Sequence, residues 1–203
     1  MQEIALHLLD IAQNAVAAGA RRISACLETG ADGRLLVLTV EDDGPGMTCR
    51  EAASAVDPFY TSRATRNVGL GLPLLQMAAR ETGGSFHIDT APGKGTVVRA
   101  EFVVASMDCP PIGDMGGAVA ALMGCNPDLE TRYTRRQENR QFSVDTRQLR
   151  RALGEVSLAD VRVIRWIRQY IEENTREMDR PRWPLPTGRV SSRSNGTGGM
   201  DPT

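Results

Sequence analysis

Lysine is nearly missing from this 203-residue chain: 23 of its 24 basic residues are arginine, and the exception is Lys94. Aromatic residues are scarce as well, at 4%, which removes the stacking platforms that bind single-stranded nucleic acid. The net charge is −1, so no overall field draws the chain to nucleic acid or to a membrane surface. No apolar run approaches the roughly 18 residues of a membrane span. The start, MQEIALHLLD, carries acids where a secretory signal carries basic residues. A cytoplasmic protein that engages neither nucleic acid nor membrane is expected. Cys26, Cys49, Cys109 and Cys125 show no C-x-x-C pairing and no disulfide-framework spacing, and are expected as thiols. With only His7 and His87 to join them, the ligand spacings of a zinc site are missing.

What is present is enough for a real core: 41% apolar and 24% charged residues, in a length that suits one domain plus an appendage. Charge divides unevenly. Residues 1–105 sum to −3 and residues 106–203 to +2, and the stretch 132–168 holds ten arginines against four acids. That block suits either a solvated helical face or a patch that docks an acidic partner. From about Asp179 onward the chain is rich in Pro, Gly, Ser and Thr and reads as a disordered tail. Three parts are therefore expected: 1–105, 106–178 and 179–203.

Periodicity predicts a helix over about Gln2–Ala18, with Ile4, Leu8, Ile11 and Ala15 on one stripe and His7, Asp10 and Asn14 on another. Two apolar runs, Ile23–Glu28 and Arg34–Glu41, flank an Asp-Gly turn and read as a hairpin. Leu70–Glu81 has helical character, and Ser85–Thr90 with Thr96–Val104 reads as a second hairpin. Later come an apolar helix through about Met123, a short hairpin from Leu129–Arg136 and Gln141–Asp145, and helices near Thr146–Leu153 and Leu158–Glu173. Helices flanking an antiparallel or mixed sheet make an α+β layered sandwich.

Four motifs in the first half carry chemistry. Asp10 and Asn14, four residues apart, share a helical face and offer oxygen ligands to a hard cation and a base for a hydroxyl; a solvated polar edge would look the same. Glu41-Asp42-Asp43-Gly44-Pro45-Gly46-Met47 leaves a strand with an acid that can accept from an exocyclic amine and glycines that let backbone approach a flat ring. A plain strand-exit turn has the same composition. Phe59-Tyr60-Thr61-Ser62-Arg63 through Arg66, Gly69, Leu70, Gly71 and Leu72 leads glycine-rich backbone into a helix start, which suits phosphate, with two arginines to add charge-assisted bonds. Gly93-Lys94-Gly95-Thr96 lies within a hairpin and so is not a Walker A loop.

The order D-I-A-Q-N, D-D-G-P-G, P-F-Y-T-S-R, G-L-G-L, G-K-G-T resembles the Bergerat-fold (GHKL) ATPase superfamily of gyrase B-type topoisomerases, heat-shock chaperones, histidine kinases and mismatch-repair ATPases. The Asn14 helix looks most like the mismatch-repair ATPases, and the short Phe59–Gly69 lid with Leu70-Gly71-Leu72 more like histidine kinases. The resemblance implies a two-layer α/β sandwich with a small α+β extension, ATP and Mg²⁺ as ligands, and specific roles. Asn14 would coordinate Mg²⁺. Asp42 would accept from the adenine amino group, over a floor shaped by Gly44, Gly46 and Met47. Phe59 would anchor the lid; Arg63, Arg66, Gly69, Leu70, Gly71 and Leu72 would meet the phosphates; Thr96 would add a hydroxyl behind the adenine. Asp10 stands where the family usually has Glu to position the attacking group, and Asn67 stands at a usual glycine position.

His7, one turn before Asp10, is expected to bond a neighbouring carboxylate or lid residue, with a phosphoacceptor or proton-relay role as the alternative. The chain begins at the Asn14 helix, where typical histidine kinases first carry a dimerising helical hairpin with the phosphoacceptor. A stand-alone protein whose acceptor lies on another protein is expected. Residues 106–178 suit a packing subdomain, a partner-docking module or a homodimer interface. Three functions stay open: a regulatory phosphotransferase or ATPase acting on a partner protein, an ATP-driven conformational switch, and an anti-sigma-like binding module with little catalysis.

Overall fold

The computed structural model describes residues 3–57 and 70–179. Helix α1 (Ile4–Ala17) forms on the apolar stripe, with Ile4, Leu8, Ile11 and Ala15 buried, and Gly19 at φ 94° follows it. No side chain caps its start. The amides of Ile4 and Ala5 instead donate to the carbonyls of Pro111 and Ile112, both at 3.0 Å. Donors that a helix start would leave orphaned thus tie α1 to the second half of the chain.

Strands β1 (Arg22–Thr29) and β2 (Leu35–Asp42) pair antiparallel with Cys26 opposite Thr39. Helix α2 (Cys49–Ala55) follows, started by a capping box in which the Glu51 amide donates to Thr48 Oγ1 and the Thr48 amide donates to Glu51 Oε2. Sequence reading missed this short helix, although Thr48-Cys49-Arg50-Glu51 carries the capping-box signal. Helix α3 (Gly71–Glu81) leads to the second hairpin, β3 (Phe86–Thr90) with β4 (Thr96–Val103), and β4 also pairs antiparallel with β2.

Beyond residue 105 come α4 (Met115–Cys125), the hairpin β5 (Glu130–Gln137) and β6 (Arg140–Asp145), α5 (Thr146–Leu153) and α6 (Val161–Asp179). Strand β5 runs parallel to β1, with Cys26 opposite Thr134. The six strands therefore form one mixed sheet in the order β3-β4-β2-β1-β5-β6. Side chains such as Leu27, Leu38, Ala100 and Phe102 point into one continuous core that also takes in α1, α3, α4 and α6. Each fully buried Leu or Phe contributes about 1.5–3 kcal/mol.

Helix α6 starts at Val161, three residues later than periodicity predicts, and runs on to Asp179. Asp160 sets the start by accepting the Arg162 amide at 2.8 Å. At the far end Arg135, 1% exposed, donates to the Asp179 carboxylate at 2.7 Å and to the Met178 carbonyl at 2.9 Å. The same guanidinium reaches Leu27 O, Thr29 Oγ1 and Arg136 O. One buried arginine thus clamps β1, β5 and the end of α6. Much of the arginine block is likewise used internally: Arg132 and Arg147 bind Asp145, Arg150 binds the Pro127 and Leu129 carbonyls, and Arg168 binds Asp114. Helix α4 packs tightly on α6, since a Cβ on Gly116 would lie 2.8 Å from the Arg168 carbonyl oxygen.

Candidate functional site

Asp42 is the last residue of β2 and stands opposite Thr96 of β4. Its half-buried carboxyl accepts the Gly44 amide on Oδ1 at 2.8 Å, and no donor among the described residues reaches Oδ2. Burial pushes this carboxyl above the usual aspartate range; the Gly44 bond opposes the rise, and Asp43 and Glu41 add to it. Its neighbour Asp43 is differently placed. It accepts the amides of Arg21 at 2.8 Å and Arg22 at 2.7 Å. Burial pushes the Asp43 carboxyl up, but those bonds outweigh it and leave the group below its usual range. One of two adjacent carboxylates is thus bound by backbone, and the other keeps an oxygen open for an N–H donor.

Two turns interlock beside Asp42. Gly46, at φ 65°, has room for no side chain because a Cβ would collide with the Ala91 carbonyl, and Gly95, at φ 78°, is closed off by the Asp42 carbonyl. The Gly93 amide donates to Pro45 O at 2.7 Å. Thr90 Oγ1 accepts from the Met47 amide at 2.9 Å, donates to Gly95 O at 2.9 Å and lies 3.2 Å from Thr96 Oγ1. The D-D-G-P-G exit and the G-K-G-T turn are therefore one unit, with Thr96 held by Thr90. Sequence reading missed Thr90, because a strand threonine carries no local mark of what it holds. Gly44 closes the cluster towards the connection between α1 and β1: a Cβ there would lie 2.7 Å from Asp42 Oδ1 and 3.7 Å from Ala20 Cβ.

On α1, Asp10 and Asn14 are both half-buried, and neither side chain makes a hydrogen bond among the described residues. Gly71 packs its backbone on Asp10: a Cβ on the glycine would lie 2.9 Å from Asp10 Cβ. Leu70, exposed, is the N-cap of α3 and supplies no side-chain cap, so no described side chain takes the first-turn amides beside Asp10, with Leu72 buried behind them. The partner expected for His7 is a neighbouring carboxylate or a lid residue, and the lid lies outside the described residues. His7 is 1% exposed, and its Nδ1 has no partner among the described residues. Burial lowers its pKa, with Asp10 opposing. The apolar packing of α1 takes the ring into the core.

Phe59, Arg63, Arg66 and Gly69 lie outside the described residues. Of the remaining sequence-predicted residues, the structure brings Asp42, Gly44, Gly46, Met47 and Thr96 to one strand-end cluster, and Asp10 to the start of α3 at Gly71.

Residues 1–106 match the family described as histidine kinase-, DNA gyrase B- and HSP90-like ATPase. The chain belongs to this family. It is 35% identical over 92 residues to the sensor histidine kinase ZraS of Klebsiella oxytoca, covering 44% of this chain and 20% of that protein. It is 34% identical over 116 residues to the cell-division control histidine kinase PdhS of Brucella anthropi, covering 50% of this chain and 11% of that protein. The chain thus spans a fifth or less of the length of these two relatives. Among solved structures, the Aquifex aeolicus MutL ATPase domain complexed with ADP aligns with a TM-score of 0.41 at 12% identity, over 71% of this chain and 62% of that one. Among the described residues no helix is long and apolar enough to cross a membrane.

Proposed function

We propose that this chain binds ATP with Mg²⁺ and acts in the cytoplasm on a partner protein, as a regulatory protein kinase or ATPase. The observation that carries the proposal is the open oxygen of half-buried Asp42 beside the interlocked glycine turns. A carboxylate there can accept the exocyclic amine of adenine, and side-chain-free Gly44 and Gly46, with Met47, leave a face for the ring. Thr96 presents its hydroxyl behind that ring. The uncapped amides at Leu70, Gly71 and Leu72 suit phosphate oxygens, with Gly69, Arg63 and Arg66 completing the phosphate contacts and Phe59 anchoring the lid.

Asn14 and Asp10 supply the oxygen donors near those phosphates, and Asn14 would hold Mg²⁺. The fit is chemical: Mg²⁺ takes one or two protein oxygens and completes its shell with water and phosphate. No cluster of three or more His, Cys, Asp or Glu among the described residues could hold an ion by itself. When bound, Mg²⁺ neutralises charge on the phosphates. Asp10 orients the attacking group. Its shorter side chain is met by the close approach of Gly71, which sets the start of α3 directly against it.

A second reading has its own support. The first turn of α1 hydrogen-bonds to Pro111 and Ile112, and the Glu130 amide donates to the Arg21 carbonyl at 2.9 Å. A nucleotide-driven movement of α1 would pull on the second half at both ends, as an ATP-driven switch requires.

Incubation of the chain with γ-labelled ATP and Mg²⁺, alone and with extract of its source cells, separates these readings. A labelled acceptor protein supports phosphotransfer. Phosphate release without an acceptor supports the switch. Nucleotide-dependent partner capture with neither activity points to a binding module of the anti-sigma kind, and failure to retain nucleotide overturns the proposal.

A further inference from the structure

Asp42, Thr96 and Thr90 stand in one row across three strands, since Thr96 of β4 is the register partner of Asp42 on β2 and of Thr90 on β3. Residues directly opposite in antiparallel strands share a face of the sheet, so the three side chains lie side by side. Thr90 is the hub of the row. A threonine hydroxyl has one proton to donate and two lone pairs that accept, and the partners of Thr90 Oγ1 leave no freedom in how these are used.

The Met47 amide, at 2.9 Å, can only donate, and the Gly95 carbonyl, at 2.9 Å, can only accept. The Gly95 carbonyl therefore takes the single Thr90 proton. Thr96 Oγ1, at 3.2 Å, meets the second lone pair of Thr90, so the proton in that contact belongs to Thr96. Thr90 then donates once and accepts twice, and the only Thr96 proton is directed away from any ligand. What Thr96 offers the site is lone pairs alone. Beside it, Asp42 Oδ1 holds the Gly44 amide at 2.8 Å, and the ionised carboxylate likewise can only accept. Two neighbouring acceptors bind N–H groups, directly or through a water that donates to both, and disfavour a carbonyl oxygen. Without the Thr90 hydroxyl, Thr96 would be free to turn its proton to the ligand, and the pair would take either kind of edge.

We infer that Thr90 is a positioning residue that sets base specificity: by accepting the Thr96 proton it makes Thr96 a fixed acceptor, so that the site takes a 6-amino purine and rejects a 6-oxo purine. The inference rests on the adenine reading of Asp42 proposed above and adds to it a residue one hydrogen bond behind Thr96.

Titration calorimetry of the full chain with ATP and with inosine triphosphate tests it, because inosine triphosphate carries a carbonyl and an N1 proton where ATP has an amine and a bare N1. The parent is expected to prefer ATP at least about 100-fold. Thr90→Val keeps the shape and removes the hydroxyl. Both affinities fall in this variant, since the Met47 amide and the Gly95 carbonyl lose a partner, but the preference for ATP is expected to shrink at least about tenfold. Thr90→Ser, which keeps the hydroxyl, is expected to retain the parent preference. A threonine that only braces the two turns would lower both affinities and leave their ratio unchanged, and that result overturns the inference. Thr96→Val leaves Thr90 bonded to Met47 and Gly95, and it decides the matter if circular dichroism finds Thr90→Val unfolded. A fixed acceptor makes ATP weaken relative to inosine triphosphate in this variant; an unchanged ratio or the opposite shift overturns the inference. A parent that retains neither nucleotide overturns the adenine reading itself, so the two failures are told apart.

Discussion

Gly71 opens α3 with its backbone against Asp10, so close that a Cβ on the glycine would lie 2.9 Å from Asp10 Cβ. The start of one helix is thereby registered on the acid of another, although 61 positions separate them in the chain.

That contact makes Gly71→Ala a test of positioning. The added methyl is expected to push α3 off Asp10 and lower ATP turnover by up to about 100-fold, the usual scale for a misplacement near 1 Å. The melting temperature is expected to fall as well, because the start of α3 is buried, so turnover is compared at a temperature where the variant stays folded. Asp10→Asn is the companion: nucleotide affinity is retained and turnover lost. Unchanged phosphate release in both variants would remove Asp10 from the chemistry.

Asp42→Asn is expected to weaken ATP binding at least tenfold, about 1.4 kcal/mol, by titration calorimetry. The pH dependence follows from burial, which raises this carboxyl above the ordinary 3.8. Affinity in the parent is full while Asp42 is ionised and declines as pH falls through that raised value, sooner than an exposed aspartate would allow. The Asn variant is expected to lose this part of the pH response. Equal affinity in parent and variant at neutral pH would sink the adenine assignment.

Asn14→Ala is expected to abolish the tightening of ATP binding by Mg²⁺ while leaving affinity without metal near the parent value. The side chain is half-buried and hydrogen-bonded to no described residue, so its loss leaves the fold intact. Comparing titrations with Mg²⁺ and with chelator decides it, and a persisting Mg²⁺ response would move the metal elsewhere.

His7 sits in the core with Nδ1 unpartnered among the described residues, and burial lowers its pKa from 6.5. The unfolded chain therefore binds a proton that the folded chain resists. Stability is full above about pH 6.5 and falls progressively as pH drops below it. His7→Leu is expected to raise stability by about 1 kcal/mol at neutral pH, within the cost of one unsatisfied buried polar atom, and by more in acid. Urea denaturation of both proteins at several pH values measures this, and an equally acid-sensitive variant would assign the effect to another group.

Helices α1 and α3 and both early hairpins are legible in the sequence because their signals are local: apolar residues at helical spacing, alternation along a strand, glycine at the turns. The cluster around Asp42 is half legible. Asp42, Gly44, Gly46 and Thr96 stand out by residue type and spacing, whereas the choice between Asp42 and Asp43 depends on the Arg21 and Arg22 amides, which come from a different strand start. Thr90 and Arg135 carry no local signal at all, since what each holds is distant in the chain.

By itself, then, the sequence determined most of the elements, whose signals lie within a few positions, and the order of motifs that marks the family. Only the tertiary structure decided that β5 lies parallel to β1, so that the second half extends the sheet of the first. The same packing buried His7, its Nδ1 unpartnered among the described residues, and set Gly71 on Asp10. Those outcomes depend on which surfaces meet once the chain has collapsed, and each meeting is fixed by shape and by buried hydrogen bonds between residues far apart in the chain.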